Sequence, residues 1–201
     1  MLTLYDNADS GNGYKVRLLL HMLEIRFRRV EVAIFEGESR KPGFLRRNPN
    51  GRIPTVEFDD GSHLWESNAL LWYFAEGTRF IPEERRARAE VLQWMFFEQY
   101  SHEPYIAVLR AWTRHGPVTE LQQAQVPWRE REGYRALGVM EAHLDGRDWF
   151  VDGRMSIADI ALYAYTHVAG QGGFDLTEYP AVRAWLDRVA AQPGFVPLDA
   201  I

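Results

Sequence analysis

Residues 2–23 carry the sequence LTLYDNADSGNGYKVRLLLHML, in which a short apolar run and a helical pattern flank a polar loop. The run from Leu2 to Tyr5 predicts a short buried strand, and residues 6–13 predict a glycine-containing loop. Beyond the loop, apolar residues recur at positions 16, 19, 20 and 23, which is the spacing of one helix face. The segment therefore predicts a strand, a turn and a helix in that order.

The segment that follows predicts further strands and a helix. Apolar residues alternate with others at positions 30, 32 and 34, which predicts a second strand. A strand–helix–strand unit of this length predicts parallel pairing with a right-handed crossover. Residues 54–65 place two apolar runs around an Asp60-Gly61 turn, which predicts a hairpin. Ser67 is then predicted to cap a helix that runs to Ala75.

Beyond residue 77 the pattern predicts helices only. Residues 84–112 predict one long apolar helix, kinked or interrupted at Pro104. Further helices are predicted at about 119–144, with a break at Pro127 left open, at about 156–169 and at 180–191. The predicted fold class is an α/β half followed by an all-α half, with domains at 1–77 and 84–201 and a linker at 78–83.

Composition excludes several function classes. The chain has 201 residues, 46% of them hydrophobic, which is enough for a sizeable core. Its net charge of −5 gives no reason to expect nucleic acid or an anionic membrane as a partner. No segment approaches the roughly 18 consecutive apolar residues of a spanning helix, and no signal peptide begins the chain, so we expect a mature cytoplasmic protein.

The cysteine count is zero. This excludes disulfides, thiolate-bound zinc and a cysteine nucleophile. We accordingly expect no metal site.

Two loops that precede helices are candidate sites. The loop before residue 16 leads into a helix N-terminus, where free N–H groups and the helix dipole favour an anion. It matches neither a dinucleotide fingerprint nor a P-loop, and Ser10 could equally be a plain helix cap. At residues 65–69, WESNA, the hydroxyl and N–H of Ser67 offer a second anion site with Glu66 beside it to meet an ammonium. That pair suits an α-amino acid head group, although a cap beside an exposed glutamate also fits.

The third candidate is the stretch NPNGRIPTV at residues 48–56. A cis peptide between Ile53 and Pro54 would turn the N–H and C=O of Ile53 outward, where they could pair with the main chain of a ligand. An ordinary trans proline that begins a strand fits the sequence as well.

Together, these three segments ahead of an all-helical half resemble the soluble bacterial glutathione transferase family. The resemblance covers nearly the whole chain. Residues 90–106 are similar to bacterial members, and residues 151–159 look like the family's buried capping motif, with Ser156 and Asp159 as folding residues. The family's fold implies a thioredoxin-like βαβαββα domain that binds glutathione, and a helical domain that supplies most of a second-substrate pocket.

The resemblance also implies roles for single residues. Ser10 would donate a hydrogen bond to the glutathione sulfur and favour the thiolate, with Asn12 as a rival sulfur contact. Tyr5 lies near the position of the phenol in tyrosine-type classes, but beside a serine-like loop we expect it to pack.

The resemblance also implies which residues bind the rest of glutathione and the second substrate. Ile53, followed by Pro54, would pair its backbone with the cysteinyl part of glutathione. The γ-glutamyl head group would be held by Glu66 and Ser67. Candidates for the cation that meets the glycyl carboxylate are Arg40, Lys41 and Arg52. Candidates for the second-substrate pocket are His102, Tyr105 and Trp112.

The predicted function is that of a glutathione transferase in detoxification, in which the glutathione thiolate attacks a small hydrophobic electrophile. Glutathione is then a co-substrate, and no cofactor is needed. Because members of this family are usually dimeric, the resemblance also implies a homodimer. Gly13 stands where related sequences carry cysteine, which closes the route through a protein mixed disulfide. Two alternatives stay open: reduction of disulfides or peroxides by glutathione without a protein cysteine, and a catalytically silent binding module.

Overall fold

The computed structural model describes residues 1–200 of the chain. Four strands form one mixed sheet: β1 (Leu2–Asp6), β2 (Phe27–Glu31), β3 (Thr55–Glu57) and β4 (His63–Trp65). The α-helices are α1 (Gly11–Met22), α2 (Pro42–Leu45), α3 (Ser67–Ala75), α4 (Arg85–Phe97), α5 (Glu103–Arg114), α6 (Glu120–Leu144), α7 (Ile157–Thr166) and α8 (Pro180–Ala190). Among residues 1–200, no helix has both the length and the apolar character needed to cross a bilayer.

The sheet has the strand order β2-β1-β3-β4. β1 pairs in parallel with β2, while β3 pairs antiparallel with both β1 and β4. The predicted fold class, an α/β half with a crossover and a hairpin followed by an all-helical half, is therefore confirmed. The crossover helix α1 begins where β1 ends, so the free N–H groups of its first turn lie at the carboxyl edge of the sheet.

Apolar side chains cover both faces of the sheet. One face packs with α1 and α3 around Leu4, Val16 and Leu70, each of which is 0% exposed. The other packs against α2 through Tyr5, Val32 and Phe44. Burial of each large side chain is worth about 1.5–3 kcal/mol, which holds α1 and α3 in fixed positions against the sheet.

β2 ends earlier than the apolar alternation at positions 30–34 predicts. The last residue of β2 is Glu31, and Ile34 begins a 3-10 turn that ends at Glu36. Val30, Val32 and Ile34 nevertheless all pack in the same core cluster. The apolar alternation at positions 30–34 thus arises because the segment after β2 is packed in the core, and not because the strand continues.

The residues group into two compact units. One holds Met1–Thr78 together with the described residues from Gln192 onward, and the other is Arg79–Ala191. We predicted that the helical domain extends to residue 201, but the described residues from Gln192 onward group with the first unit. The hydroxyl of Tyr14 donates to the carbonyl of Val196 at 2.7 Å, and Nη1 of Arg17 donates to the carbonyl of Leu198 at 3.2 Å. These bonds hold the tail on α1.

Replacing Tyr14 with phenylalanine is expected to lower the free energy of unfolding by about 1 kcal/mol, because the Val196 carbonyl loses its donor. The ring is 1% exposed and keeps its packing. Urea denaturation measures the effect. Tyr100→Phe is the matched control, since Tyr100 is 83% exposed and its hydroxyl should contribute little. Equal stability of Tyr14→Phe and wild type would show that the tail is not held by this bond.

The helix predicted at 84–112 is interrupted. A π-helical turn, Glu98–His102, separates α4 from α5. Pro104 lies in the first turn of α5, where its missing N–H costs no hydrogen bond. The predicted interruption is confirmed, but it begins before the proline. In contrast, α6 continues through Pro127.

The predicted capping motif at Ser156 and Asp159 is confirmed. The Ser156 hydroxyl accepts from the N–H of Ala158 at 3.2 Å, and Oδ2 of Asp159 accepts from the N–H of Ser156 at 2.8 Å. Asp159 is 0% exposed, and its Oδ1 accepts from Nε1 of Trp185 at 3.0 Å. The motif therefore caps α7 and also ties it to α8. Burial raises the pKa of Asp159 to about 6, and the donated hydrogen bonds oppose that rise.

Candidate functional site

The loop between β1 and α1 is built around Ser10. Ser10 is the N-cap of α1, with an extended backbone (φ −78°, ψ 120°), and its Oγ accepts from the N–H of Gly13 at 3.1 Å. Capping uses the hydroxyl oxygen as an acceptor, so the hydroxyl proton can still be donated to a ligand. No acidic residue lies in the first turn of α1, and the dipole at this end favours an anion.

A fully buried carboxylate, Asp6, lies behind this loop. Burial raises its pKa to about 6, although Arg17, the N–H of Asn7 and Arg29 all favour its ionised form. Its Oδ2 pairs with Nε of Arg17 at 3.0 Å and with Nε of Arg29 at 3.4 Å. A Cβ built on Gly13 would lie 1.5 Å from Oδ1 of Asp6. Position 13 therefore accepts only glycine while Asp6 stays in place.

Asn12 and Ser67 join the first and third candidate segments. Oγ of Ser67 donates to Oδ1 of Asn12 at 3.0 Å, although the two residues are 55 positions apart. Nζ of Lys15, which is 0% exposed, donates to the same Ser67 oxygen at 3.5 Å. Our sequence reasoning missed Lys15. A signal was available, since Asn12 and Lys15 are three residues apart and hence lie on one face of α1.

The prediction that Ser67 caps α3 is wrong. Glu66 occupies the N-cap position with φ 72° and ψ 114°, and its side chain makes no cap hydrogen bond. Ser67 is the first helical residue. Its side chain is already hydrogen-bonded to Asn12 across the unit, which explains why it does not turn back to cap its own helix.

The loop between Asn48 and Pro54 approaches the same place. The peptide bond between Ile53 and Pro54 is cis. Nδ2 of Asn48 donates to the carbonyl of Arg52 at 2.7 Å, which fixes the loop from within. Nδ2 of Asn50 donates to Oε1 of Glu66 at 3.4 Å. The second and third candidate segments are thus neighbours.

The three candidate cations for a carboxylate differ in how they are held. Arg40 donates through Nη1 to the carbonyl of Asn50 at 2.8 Å, so it is anchored to the loop that carries Ile53. The side chains of Arg40, Lys41 and Arg52 are all exposed. Tyr5 lies on the sheet face that packs with Phe44, and its hydroxyl donates to Glu57 at 2.7 Å. Burial and this bond raise the pKa of Tyr5, as expected for a packing residue.

In the helical unit, two of the three candidate pocket residues share one aromatic cluster. Tyr105 packs edge-to-face on Trp128 with ring centroids 5.3 Å apart. The guanidinium of Arg129 lies 5.0 Å from the centroid of Trp112 and 5.4 Å from that of Trp128. His102 is placed differently: it is 0% exposed, and its Nε2 lies 2.9 Å from Oγ1 of Thr166. Within residues 1–200, no three His, Cys, Asp or Glu residues are grouped so as to hold a metal ion.

Two family models match the chain. The model described as glutathione S-transferase, N-terminal domain, matches residues 10–76, and the one described as glutathione S-transferase, C-terminal domain, matches residues 106–193. The disulfide-bond oxidoreductase YfcG of Escherichia coli (strain K12) is 32% identical over 204 residues, covering 96% of this chain and 92% of that protein.

Solved structures agree with this. A glutathione S-transferase from Pseudomonas fluorescens [Pf-5] superposes with a TM-score of 0.95 at 47% identity, covering 98% of each chain. One from Xanthobacter autotrophicus Py2 superposes with a TM-score of 0.94 at 44% identity, covering 98% of this chain and 97% of that one.

Proposed function

Since this chain belongs to the glutathione S-transferase family and is a transferase, we propose that it binds glutathione in the Met1–Thr78 unit and directs the thiolate at a small hydrophobic electrophile. The observation that carries this proposal is the hydrogen bond between Ser67 and Asn12. It brings together the N-terminal turns of α1 and α3, each of which offers free N–H groups to an anion. Glutathione carries both a thiolate and a carboxylate for these two positions.

The sulfur lies at the start of α1 in this proposal. A hydroxyl and a carboxamide are both hydrogen-bond donors, so Ser10 and Asn12 are the candidate donors to the sulfur. Within the protein, Oγ of Ser10 accepts from Gly13 and Oδ1 of Asn12 accepts from Ser67. The helix N-terminus adds its partial positive charge. Donors and dipole stabilise the thiolate over the thiol, which lowers the thiol pKa.

The size of this decrease in the thiol pKa limits how far it can raise the rate of the reaction. A decrease in thiol pKa from about 8.5 to about 6.5 raises the thiolate fraction at neutral pH on the order of 20-fold. Because nucleophilicity falls with basicity, the same shift costs roughly 6- to 10-fold in intrinsic reactivity. The net gain is only a few-fold, so most of the catalysis has to come from holding the electrophile against the sulfur.

The rest of glutathione is bound by the segments that adjoin Ser67. The N–H groups at the start of α3 receive the γ-glutamyl carboxylate, and the exposed carboxylate of Glu66 receives the ammonium. Ile53, with Pro54 following, offers its backbone to the cysteinyl residue. For the glycyl carboxylate the candidates remain Arg40, Lys41 and Arg52. Arg40 has the best support, because its bond to Asn50 fixes it near the loop of Ile53.

In the reaction, the sulfur forms a bond to an electrophilic carbon. In a substitution the leaving group departs with the bonding electron pair, and in an addition the neighbouring atom takes up a proton. We propose that the helical unit supplies the apolar contacts for the electrophile, with Tyr105 and Trp112 as candidates and His102 as a buried support. We also propose that the enzyme acts as a cytoplasmic homodimer.

A second candidate function is reduction of small disulfides by glutathione. It is favoured by the 32% identity to a protein described as a disulfide-bond oxidoreductase. Without a cysteine in the chain, one glutathione thiolate would attack the disulfide, releasing one thiolate and forming a mixed disulfide. A second glutathione thiolate would then attack this mixed disulfide and release the other thiolate. The two glutathiones supply both electrons and leave as glutathione disulfide.

The test is the ultraviolet thiolate absorbance of bound glutathione as a function of pH, in wild type and in the variants Ser10→Ala and Asn12→Ala. We expect a thiol pKa well below that of free glutathione in wild type, and a rise of about one unit, tenfold in the ionisation constant, in each variant. Thr119→Ala is the matched control, because Thr119 caps α6 as Ser10 caps α1. It should lose similar stability without moving the thiol pKa.

Two outcomes would contradict the proposal. If glutathione does not bind, the site is not a glutathione site. If glutathione binds but neither variant moves the pKa, the assigned sulfur contacts are wrong. Activity with a chromogenic aryl halide, compared with that on hydroxyethyl disulfide, then decides between conjugation and disulfide reduction. A pKa shift confined to Asn12→Ala would favour the reductase.

A further inference from the structure

The loop between β1 and α1 is tied to the neighbouring strand β2 by a carboxylate that has no role in the proposed site. Asp6 and Glu31 are the last residues of β1 and β2, and they are partners in the parallel register. Oε1 of Glu31 accepts from Nδ2 of Asn7 at 2.7 Å and from the N–H of Ala8 at 3.2 Å. Its Oε2 pairs with Arg29. One carboxylate thus holds two successive residues of the loop.

The contacts of the Asn7 side chain fix its orientation. Nδ2 donates to Glu31 and, at 3.2 Å, to the carbonyl of Val32. Oδ1 accepts from the N–H of Asp9 at 3.2 Å. Rotation of the carboxamide by half a turn would place oxygen against oxygen at the first two contacts and N–H against N–H at the third. Asn7 is therefore bound to β2 and to the segment after it in one defined way.

Through its main chain, Asn7 holds Ser10. The carbonyl of Asn7 accepts from the N–H of Ser10 at 2.9 Å, and the N–H of Asn7 donates to Oδ1 of the buried Asp6 at 2.6 Å. Ser10 is thus bound on two sides. The bond from the N–H of Gly13 to its hydroxyl oxygen fixes Ser10 relative to α1, and the bond to Asn7 fixes it relative to the sheet.

The position of Ser10 relative to the sheet matters because the sheet also carries the other proposed contacts of glutathione. Ile53 lies just before β3, and Ser67 begins the helix that follows β4. A glutathione held by these segments has its sulfur at a place that the sheet determines. Since a hydrogen bond weakens steeply when its distance or angle changes, a shift of the loop that carries Ser10 would weaken the bond from its hydroxyl to the sulfur.

We propose that Glu31 is a positioning residue for thiolate formation, which acts through Asn7 to hold the Ser10 hydroxyl within hydrogen-bond distance of the glutathione sulfur. This inference rests on the proposed function, since it needs glutathione at the site and Ser10 at the sulfur. In this arrangement Glu31 contacts neither the sulfur nor the electrophile. Its side chain is 49% exposed at the end of β2, so it can be replaced without opening the core.

The charge of Glu31 makes the inference sharply testable, because positioning and direct electrostatics predict opposite shifts of the thiol pKa. Removal of an anion near a thiolate lowers the thiol pKa. Glu31→Ala also leaves Arg29 with one anion fewer, which acts in the same direction. Loss of the anchor of the loop has the opposite effect, since the thiolate then loses hydrogen bonding from Ser10 and the thiol pKa rises.

A double-mutant cycle tests this. The thiol pKa of glutathione at saturation is measured by thiolate absorbance in wild type and Glu31→Ala, each with and without Ser10→Ala. Glu31→Ala should raise the pKa by about half a unit, roughly threefold in the ionisation constant, in the wild-type background. It should cause no rise in the Ser10→Ala background.

Two controls separate the acceptor from the charge. Glu31→Gln keeps an acceptor oxygen for the loop but loses the charge, so it should cause no rise of the thiol pKa in either background. Glu36→Ala removes an exposed glutamate from the 3-10 turn that follows β2, and it should cause no rise either.

Asn7→Ala gives an independent version of the cycle without a change of charge, and it serves equally if Glu31→Ala does not fold. It removes the side-chain bonds to Glu31 and Val32 but leaves the main-chain carbonyl that holds Ser10. Its effect on the pKa should have the same direction, vanish in the Ser10→Ala background and not add to that of Glu31→Ala. Binding of S-methylglutathione, which has no titratable thiol, should differ little among these variants.

The possible results separate this inference from the proposed function. A lowered or unchanged pKa in Glu31→Ala would overturn the inference, because the lost charge alone would account for it. Equal rises with and without the Ser10 hydroxyl would overturn it as well, since the effect would not pass through Ser10. If Asn12→Ala raises the pKa and Ser10→Ala does not, glutathione activation stands but the role of Glu31 falls. If glutathione does not bind to the wild type, both fall together.

Discussion

Replacing Asp159 with alanine is expected to lower the free energy of unfolding by about 3–5 kcal/mol, because several buried donors lose their acceptor at once. The carboxylate accepts from the N–H and hydroxyl of Ser156, at 2.8 and 3.0 Å, from Nε1 of Trp185 at 3.0 Å and from the N–H of Phe150 at 3.3 Å. Urea denaturation of the whole chain, followed by tryptophan fluorescence, measures the loss.

Two control variants separate the loss of the hydrogen bonds to Asp159 from the loss of a helix cap alone. Ser156→Ala removes one capping oxygen and should cost about 1 kcal/mol. Asp175→Ala removes an exposed aspartate that binds the N–H of Thr177 at 2.9 Å, and it should cost less than Ser156→Ala. A loss from Asp159→Ala no larger than that from Ser156→Ala would show that the bonds to Trp185 and Phe150 contribute nothing.

The cost of Asp159→Ala should also depend on pH. The pKa of Asp159 is about 6 in the folded protein and near 3.8 in the unfolded chain, so the folded wild type takes up a proton between pH 7 and pH 5. A group whose pKa is raised by folding stabilises the protein as the pH falls. The stability of wild type relative to Asp159→Ala should therefore increase by about 1 kcal/mol from pH 7 to pH 5.

This capping motif was predictable because the information is local. Ser156 and Asp159 are three residues apart and bind each other's backbone, so their spacing alone specifies the geometry. The same holds for Ser10 at the start of α1. Ser67 shows the limit of such reasoning. Its sequence context is that of a cap, but its hydroxyl is bound to Asn12, which is close only after the sheet has formed.

Two other features were not predicted from the sequence, and both depend on contacts between residues that are distant in the sequence. The position of the chain's end was not predictable, because residues 192–200 carry no periodic pattern and bind residues far away in the sequence, among them Tyr14 and Arg17. Lys15 was missed because a lysine near a helix start is ordinarily solvated, whereas in the folded chain it is 0% exposed on a helix that packs against α3. Periodicity thus predicted the elements, while contacts distant in sequence decided which side chains meet in the candidate site.

Replacing Gly13 with cysteine is expected to unfold or severely destabilise the first unit, by about 3 kcal/mol or more, instead of creating a reactive thiol. The new Cβ would lie 1.5 Å from Oδ1 of Asp6 and 2.3 Å from its Cγ. Asp6 cannot easily move away, because it is fully buried and paired with Arg17 and Arg29. The absence of a cysteine at this position therefore has a steric cause in this chain.

Gly13→Ala isolates the steric effect from thiol chemistry and should be destabilised to a similar extent. Gly138→Ala is the matched control, since Gly138 also lies in a helix but a Cβ there meets nothing within 4 Å. Alanine in a helix is favoured over glycine by about 0.5–1 kcal/mol, so this control should be slightly more stable than wild type. Thermal unfolding of the three variants measures the comparison. If Gly13→Ala proved as stable as Gly138→Ala, Asp6 would have to move freely, and the buried ion pair with Arg17 would not fix the loop that carries Ser10.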